Sequence, residues 1–142
     1  MIRFKLITLT GVKFDEDVYE IILPTLDGQI GVLPGHMPLT AVATPGVISV
    51  RKNANDRDYK LEYFANNGGV IEIKDDVLKA IVGEADNASE INEAEAKKAH
   101  ELALTMKLNS KNQVSLEEAN NLVDLMAAKI KVAQLRRLQG HK

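Results

Sequence analysis

Val70-Ile71-Glu72-Ile73-Lys74-Asp75-Asp76-Val77-Leu78-Lys79-Ala80-Ile81 reads as two strands joined by a tight turn. Runs of apolar, largely β-branched residues flank a two-residue acidic link, and Asp tolerates the positive φ that such a turn demands. That hairpin sets the grammar for everything upstream. Leu61, Tyr63 and Ala65 alternate with Lys60, Glu62 and Phe64, and a polar loop over 53–58 precedes them. Residues 39–43 and 47–50 read as two strands separated by Thr44-Pro45-Gly46, where Pro fixes φ and Gly permits a turn. A β-branched run over 18–23 is expected to stop at Pro24, and residues 3–9 put Phe4, Leu6 and Thr8 on one face. About eight short strands at this spacing favour a sandwich or flattened barrel over an open sheet.

Downstream the pattern changes at Asp86, which divides the chain into 1–85 and 86–142. Ile91-Asn92-Glu93-Ala94-Glu95 predicts a helix start, with Asn92 as N-cap, Glu95 completing a capping box and Ile91 as staple. Ala99, Leu102, Ala103 and Met106 follow at helical spacing, and the helix is expected to fail over 109–112. Ser115 and Glu118 repeat the device for a second helix. That helix carries two stripes: Ala119, Leu122, Val123, Met126, Ile130 and Ala133, and beside it Leu125, Ala128, Val132 and Leu135. The expectation is an all-β sandwich followed by an antiparallel αα-hairpin. The first helix offers mostly Ala to its partner, and small side chains bury little area. The hairpin therefore reads as a weakly held unit.

Composition narrows the function. The 142 residues are 45% hydrophobic and 27% charged, as in a water-soluble globular chain, and no apolar run approaches a membrane span. There is no Cys, hence no disulfide, thiolate site or thiol nucleophile. Charge is uneven: Lys129, Lys131, Arg136, Arg137 and Lys142 fall in the last fourteen residues with no acid among them, whereas 86–101 is acidic. An antiparallel hairpin brings those two ends together.

Catalysis finds little support. His36, His100 and His141 lack companions at metal-ligand spacing, and no phosphate-binding Gly loop or nucleophile elbow occurs. Asp15-Glu16-Asp17 and Asp75-Asp76 fall where solvated turns are expected, without the burial that drives paired carboxylate pKa values apart. The slightly acidic chain, with its few aromatics in strand-like positions, speaks against nucleic acid. The conspicuous feature is the Gly/Pro-rich stretch 27–39, expected to be a largely non-hydrogen-bonded excursion between strands. On physical grounds it is either a binding loop or an elaborate sandwich corner.

The stretches DGQIGVLPGHMPLTAVATPGVISV (27–50), FANNGGVIEIKDDVLKAIVGEAD (64–86) and EINEAEAKKA (90–99) resemble the epsilon subunit of F-type ATP synthases, in order and over the whole chain. The GVLPGHMPL block is the most specific part, and the bare Met1 resembles bacterial or organelle-encoded members. The resemblance implies about ten strands and a non-catalytic rotor subunit on the cytoplasmic face of the membrane, with no insertion of its own. It would hold the gamma subunit and rest on the c-ring, coupling proton flow to ATP synthesis. The family's ring-contacting tip maps onto Asp27, Gly28, Gln29, Ile30 and Gly31; relatives often carry an acid where Gln29 stands. His36 and Met37 map to the part that approaches gamma. In relatives the hairpin can extend into the catalytic head and inhibit ATP hydrolysis. Lys129, Lys131, Arg136 and Arg137 are the candidates to meet the alpha and beta subunits.

Some relatives bind ATP in the folded hairpin through an (I/L)DxxRA motif, which here reads Ile91, Asn92, Glu93, Ala94, Glu95, Ala96. Glu in place of Arg puts an anion where a cation would meet phosphate. The motif is therefore degenerate; weak or absent ATP binding and no other cofactor are expected. Competing readings are a stand-alone nucleotide sensor acting through the hairpin, and a small hydrolase around His36 and Asp27.

Overall fold

The computed structural model describes residues 1–139. Eight strands precede two helices: β1 (Ile2–Thr8), β2 (Gly11–Val18), β3 (Glu20–Thr25), β4 (Gly28–Val32), β5 (Leu39–Arg51), β6 (Glu62–Lys74), β7 (Val77–Val82), β8 (Ala85–Asn87), α1 (Glu93–Leu108) and α2 (Gln113–Gln139). The strands form one mixed sheet in the order β2-β1-β7-β6-β5-β3-β4, with β8 also on β6. All pairs are antiparallel except β1 with β7.

The sheet becomes a sandwich because β5 and β6 are long and bend together. They pair without slippage from Leu39↔Ile73 to Val50↔Glu62. On one side of the bend β6 pairs with β7, on the other with β8. One layer is thus β2-β1-β7 and the near halves of β6 and β5; the other is β8, their far halves, β3 and β4. Counted by layer, the eight strands supply ten segments, which reconciles the observed count with the expected one.

Thr44-Pro45-Gly46 is therefore a corner inside one strand and not a turn between two. Asn66, fully buried, holds it: Nδ2 donates to Gly46 O at 3.0 Å, and Oδ1 accepts from Gly68 N at 2.7 Å. The bend keeps backbone groups paired that a proline would otherwise orphan. Pro24 does not end its strand either. It lies within β3 and packs on Gly46, where the β3–β5 ladder is interrupted. The expected run from 18 is split, since Val18 closes β2 and β3 starts at Glu20. Gly28–Val32, expected as unpaired loop, is an edge strand on β3. The Asp75-Asp76 turn is as expected, with φ of 52° and 57°.

One core fills the space between the layers, from Ile2, Phe4 and Leu6 to Ile48, Val50, Ile71 and Leu78. Phe14 bridges it, 5.5 Å from the Phe4 ring and 5.9 Å from that of Phe64. Phe64, on the apparently polar side of its alternation, faces this core. Tyr63 and Ala65 face α2 instead.

The helices dock through α2. Its Ala128 and Val132 pack with Ala65, Val47, Tyr63 and Ile91 on the outer face of the second layer. The α1 helix rests on α2 and buries only Ala96 and Ala103. Leu102 and Met106, expected in the seam, are exposed at 66% and 51%. The helix is rotated so that alanines make the contact. Asn92 caps α1 by accepting from Glu95 N, but the reciprocal capping-box bond forms one turn earlier, between Asn87 and Glu90. Asn112 and not Ser115 caps α2, accepting from Ser115 N at 2.8 Å.

Gly69 lies where β6 passes over β7, and a Cβ there would stand 2.0 Å from Ile81 O. Gly69→Ala is expected to cost roughly 2 kcal/mol or more, by forcing backbone apart in the corner. Gly31→Ala, in open space, should change stability by less than about 1 kcal/mol. Denaturant titration of the two variants checks the contrast.

Candidate functional site

The outer face of the first layer carries a row of apolar side chains that alternation alone does not reveal. Val42 pairs with Val70, Val70 with Ile81, Ile81 with Ile7, and Ile7 with Val12. One apolar position thus recurs across β5, β6, β7, β1 and β2. Val42, Val70, Ile81 and Val12 are about half exposed or more. Beside the row runs a charged one, Glu72 opposite Lys79, Lys79 opposite Lys5, and Lys5 opposite Asp15. A contiguous apolar stripe with a polar flank on a sheet face marks a contact surface. The signal lay in five strands far apart in sequence, and only the pairing register brings it together.

The Gly/Pro segment borders this row. Leu26, 71% exposed, donates its N–H to Val42 O, placing the β3–β4 turn beside the end of the row. Thr25 shapes that turn: its hydroxyl donates to Gly28 O at 2.6 Å and accepts from Asp27 N. Asp27, Gly28, Gln29 and Gly31 are exposed, whereas Ile30 turns inward and packs on the core. Past β4, Gly35 N donates to Asp76 Oδ1 at 2.6 Å, pinning the loop to the β6–β7 turn. His36 Nδ1 lies 2.7 Å from Met37 O, and Met37 is 72% exposed. The tip residues and the His36–Met37 loop are thus held in place on a rigid frame, on different loops.

The basic residues of α2 separate into different situations. Lys129 is engaged: its ammonium lies 2.8 Å from Glu84 and 3.3 Å from Asp86, with the side chain 19% exposed. Arg137 reaches Glu93 at 3.4 Å, bringing together the acidic start of α1 and the basic end of α2. Lys131 and Arg136 are exposed. Gln139 donates to Leu61 O and Asp58 O, tying the end of α2 to the sandwich. Lys13 pairs with Glu90 and fastens the linker before α1. His141 and Lys142 lie outside the described residues.

Pairing with Lys129 holds the Glu84 carboxyl below its ordinary value, against the opposing effect of burial. Asp86 is pushed up, first by burial and then by the adjacent Glu84, against the pull of Lys129. Burial pulls Lys129 down, but its two carboxylates outweigh this and leave it raised.

Three of the four residues of the degenerate nucleotide motif have a structural task. Ile91 packs with Ala128 and Val132, Asn92 caps α1, and Ala96 is buried against α2; Glu95 is exposed. Together with Glu90, Met126 and Lys129 they line a shallow cleft. Its charged groups are two carboxylates and an ammonium already paired with carboxylates. Among the described residues no cluster of His, Asp and Glu could hold a metal, and no helix is long and apolar enough to cross a membrane.

Residues 1–88 match the family model for the ATP synthase, Delta/Epsilon chain, beta-sandwich domain. An ATP synthase epsilon chain from Sulfurihydrogenibium sp. (strain YO3AOP1) is 37% identical over 92 residues, 65% of this chain and 66% of that one, just under two thirds of the relative's length. A chain in the structure of the Euglena gracilis mitochondrial ATP synthase, OSCP/F1/c-ring in rotational state 1, superposes with a TM-score of 0.76. It is 22% identical, with 94% of this chain and 81% of that one covered. A chain from the central stalk/c-ring structure of the Tetrahymena thermophila mitochondrial ATP synthase gives 0.61 at 15% identity, covering 90% and 95%. At these identities both likenesses concern the fold. The family match takes in the whole sandwich, more than half of the chain, and on that ground the chain belongs to the family of ATP synthase delta/epsilon chains.

Proposed function

We propose that this chain is a non-catalytic, epsilon-type subunit of the central stalk, binding the gamma subunit and the c-ring so that proton flow is coupled to ATP synthesis. The observation that carries the reading is the row Val42-Val70-Ile81-Ile7-Val12, an apolar stripe on a rigid sheet with no cover from the described residues. A coiled-coil subunit such as gamma can lay an apolar ridge along it, with the His36–Met37 loop at the border of the contact. The exposed tip Asp27, Gly28, Gln29 and Gly31 is then the part that meets the polar loops of the ring. Gln29 makes that contact through hydrogen bonds and not through charge. Attachment to the membrane, on its cytoplasmic face, comes through these partners.

The hairpin is the regulatory part. Released from the sandwich, α2 would present Lys131, Arg136 and Arg137, joined by Lys129, to acidic segments of the alpha and beta subunits and so inhibit hydrolysis. A nucleotide-sensing role is not favoured, because the cleft at Ile91–Glu95 is lined by the carboxylates of Glu90 and Glu95, and its one cation, Lys129, is already paired.

These assignments give separable outcomes. Val70→Asp and Ile81→Asp sit on an exposed face, so circular dichroism should be unchanged while co-purification with a gamma-type subunit falls by at least about 100-fold, since charges buried in an interface are costly. Retained co-purification would rule out the apolar row as the contact. Deleting residues 89–142 should leave assembly intact and raise the ATPase activity of the complex; unchanged activity would remove the inhibitory role. Titration with ATP to millimolar concentration should leave the amide spectra of α1 and α2 unmoved.

A further inference from the structure

We infer that Lys129, held between Glu84 and Asp86, is the latch that fastens the helical hairpin to the sandwich, so that docking depends on this charge cluster more than on helix packing. The packing is thin. The α1 helix rests on α2, and α2 meets the sandwich through Ala128 and Val132, with Ala65 as the buried residue beneath them. Alanine contacts contribute far less than Leu or Ile contacts would, about 0.8 kcal/mol per buried methylene being the scale of the difference. Lys129 follows Ala128 on this face, and its ammonium is largely withdrawn from water.

The carboxylates that receive it belong to the sandwich. Asp86 is in β8, paired through Asp86↔Ala65 to β6, and Glu84 N donates to Asn67 Oδ1 just before it. Neither needs to move when the hairpin leaves; the linker that must yield lies beyond Asn87. The other cation near Glu84 is Lys13 of β2, which is committed to Glu90. Loss of Lys129 therefore leaves two neighbouring carboxylates without their shared counter-charge, and that raises the cost of the docked state beyond the loss of an ordinary surface pair.

The two acids contribute unequally. Glu84, held below its ordinary value, favours docking wherever it is ionised, and that contribution is lost as pH falls through its lowered pKa. Asp86 is raised by burial and by Glu84, a neighbour it keeps whether or not the hairpin is docked; what docking adds is Lys129, which pulls it down, so the ionised carboxylate of Asp86 also favours the docked state. Glu84, the nearer partner at 2.8 Å, is the anchor, and Asp86 at 3.3 Å is the second support.

The test uses the full chain, whose lack of cysteine lets a dye pair be placed at Asn55→Cys and Val114→Cys and the distance read by energy transfer. Glu84→Gln and Lys129→Gln should each raise the open fraction about fivefold at low salt. Asp86→Asn should raise it less than Glu84→Gln does, and the exposed Lys131→Gln should not move it. The charge-exchanged double variant Glu84→Lys with Lys129→Glu should recover most of the closed state. Identical distance distributions for the parent, Glu84→Gln and Lys129→Gln would overturn the latch. Its effect on catalysis rests on the inhibitory reading proposed above, and the two fail separately. If the variants open in isolation but the assembled enzyme's ATPase is unchanged, the latch stands and the inhibitory role falls.

Discussion

The structure depends on the shared bend of β5 and β6. Two 13-residue strands stay paired through a corner containing Pro45, Gly46, Gly68 and Gly69, and that corner folds one sheet back on itself. A straight ribbon of this length would leave the core face of either half open to water. The bend is possible because Asn66 spends its side-chain amide on Gly46 O and Gly68 N, so corner groups that sheet pairing cannot reach are still satisfied. Gly69 lets β7 approach at a distance no side chain permits.

Folding the sheet this way creates two outer faces, and both carry apolar residues. On the second layer, Val47, Tyr63 and Ala65 are covered by α2. On the first, the row from Val42 to Val12 is uncovered by the described residues. A sandwich needs only its inner faces to be apolar. Apolar residues on both outer faces therefore need a second account: one set is covered by α2, and the other is the row proposed above to meet a partner. The first contact is thin and bordered by ion pairs, whereas the second face is a continuous apolar stripe.

How much of this was legible depended on whether the controlling information is local. The hairpin at Asp75-Asp76, the helix cap at Asn92 and the failure of the helix at Asn109 are written in neighbouring residues, and each lies where the sequence places it. Thr44-Pro45-Gly46 and Pro24 were misread because turn chemistry and corner chemistry use the same residues. Only pairing across the ribbon decides between them. Leu102 and Met106 misled for a similar reason: the amphipathic stripe selects the larger apolar residues, whereas close approach to α2 selects Ala96 and Ala103. The apolar row was invisible because each of its members is one outward position in a separate strand. In the sequence Lys129 is one of several cations near the end of the second helix. Its distinction from Lys131 lies entirely in which side of α2 meets Glu84 and Asp86.

That distinction bears on how a small hairpin can be held and still be released. An apolar seam strong enough to fix α2 would need large side chains, and these would be left in water whenever the hairpin opened. Alanines avoid that penalty, because a detached Ala128 exposes little surface. In the proposed latch the ion pairs supply what the alanines do not: each partner would regain its hydration on separation, which would keep the docked and free states close in free energy. Lys129 suits this arrangement better than an arginine fork would. A flexible ammonium can sit between two carboxylates without fixing the geometry of either, and it is well hydrated once withdrawn. The same property that makes surface ion pairs weak stabilisers makes them suitable fasteners for an element that must come and go.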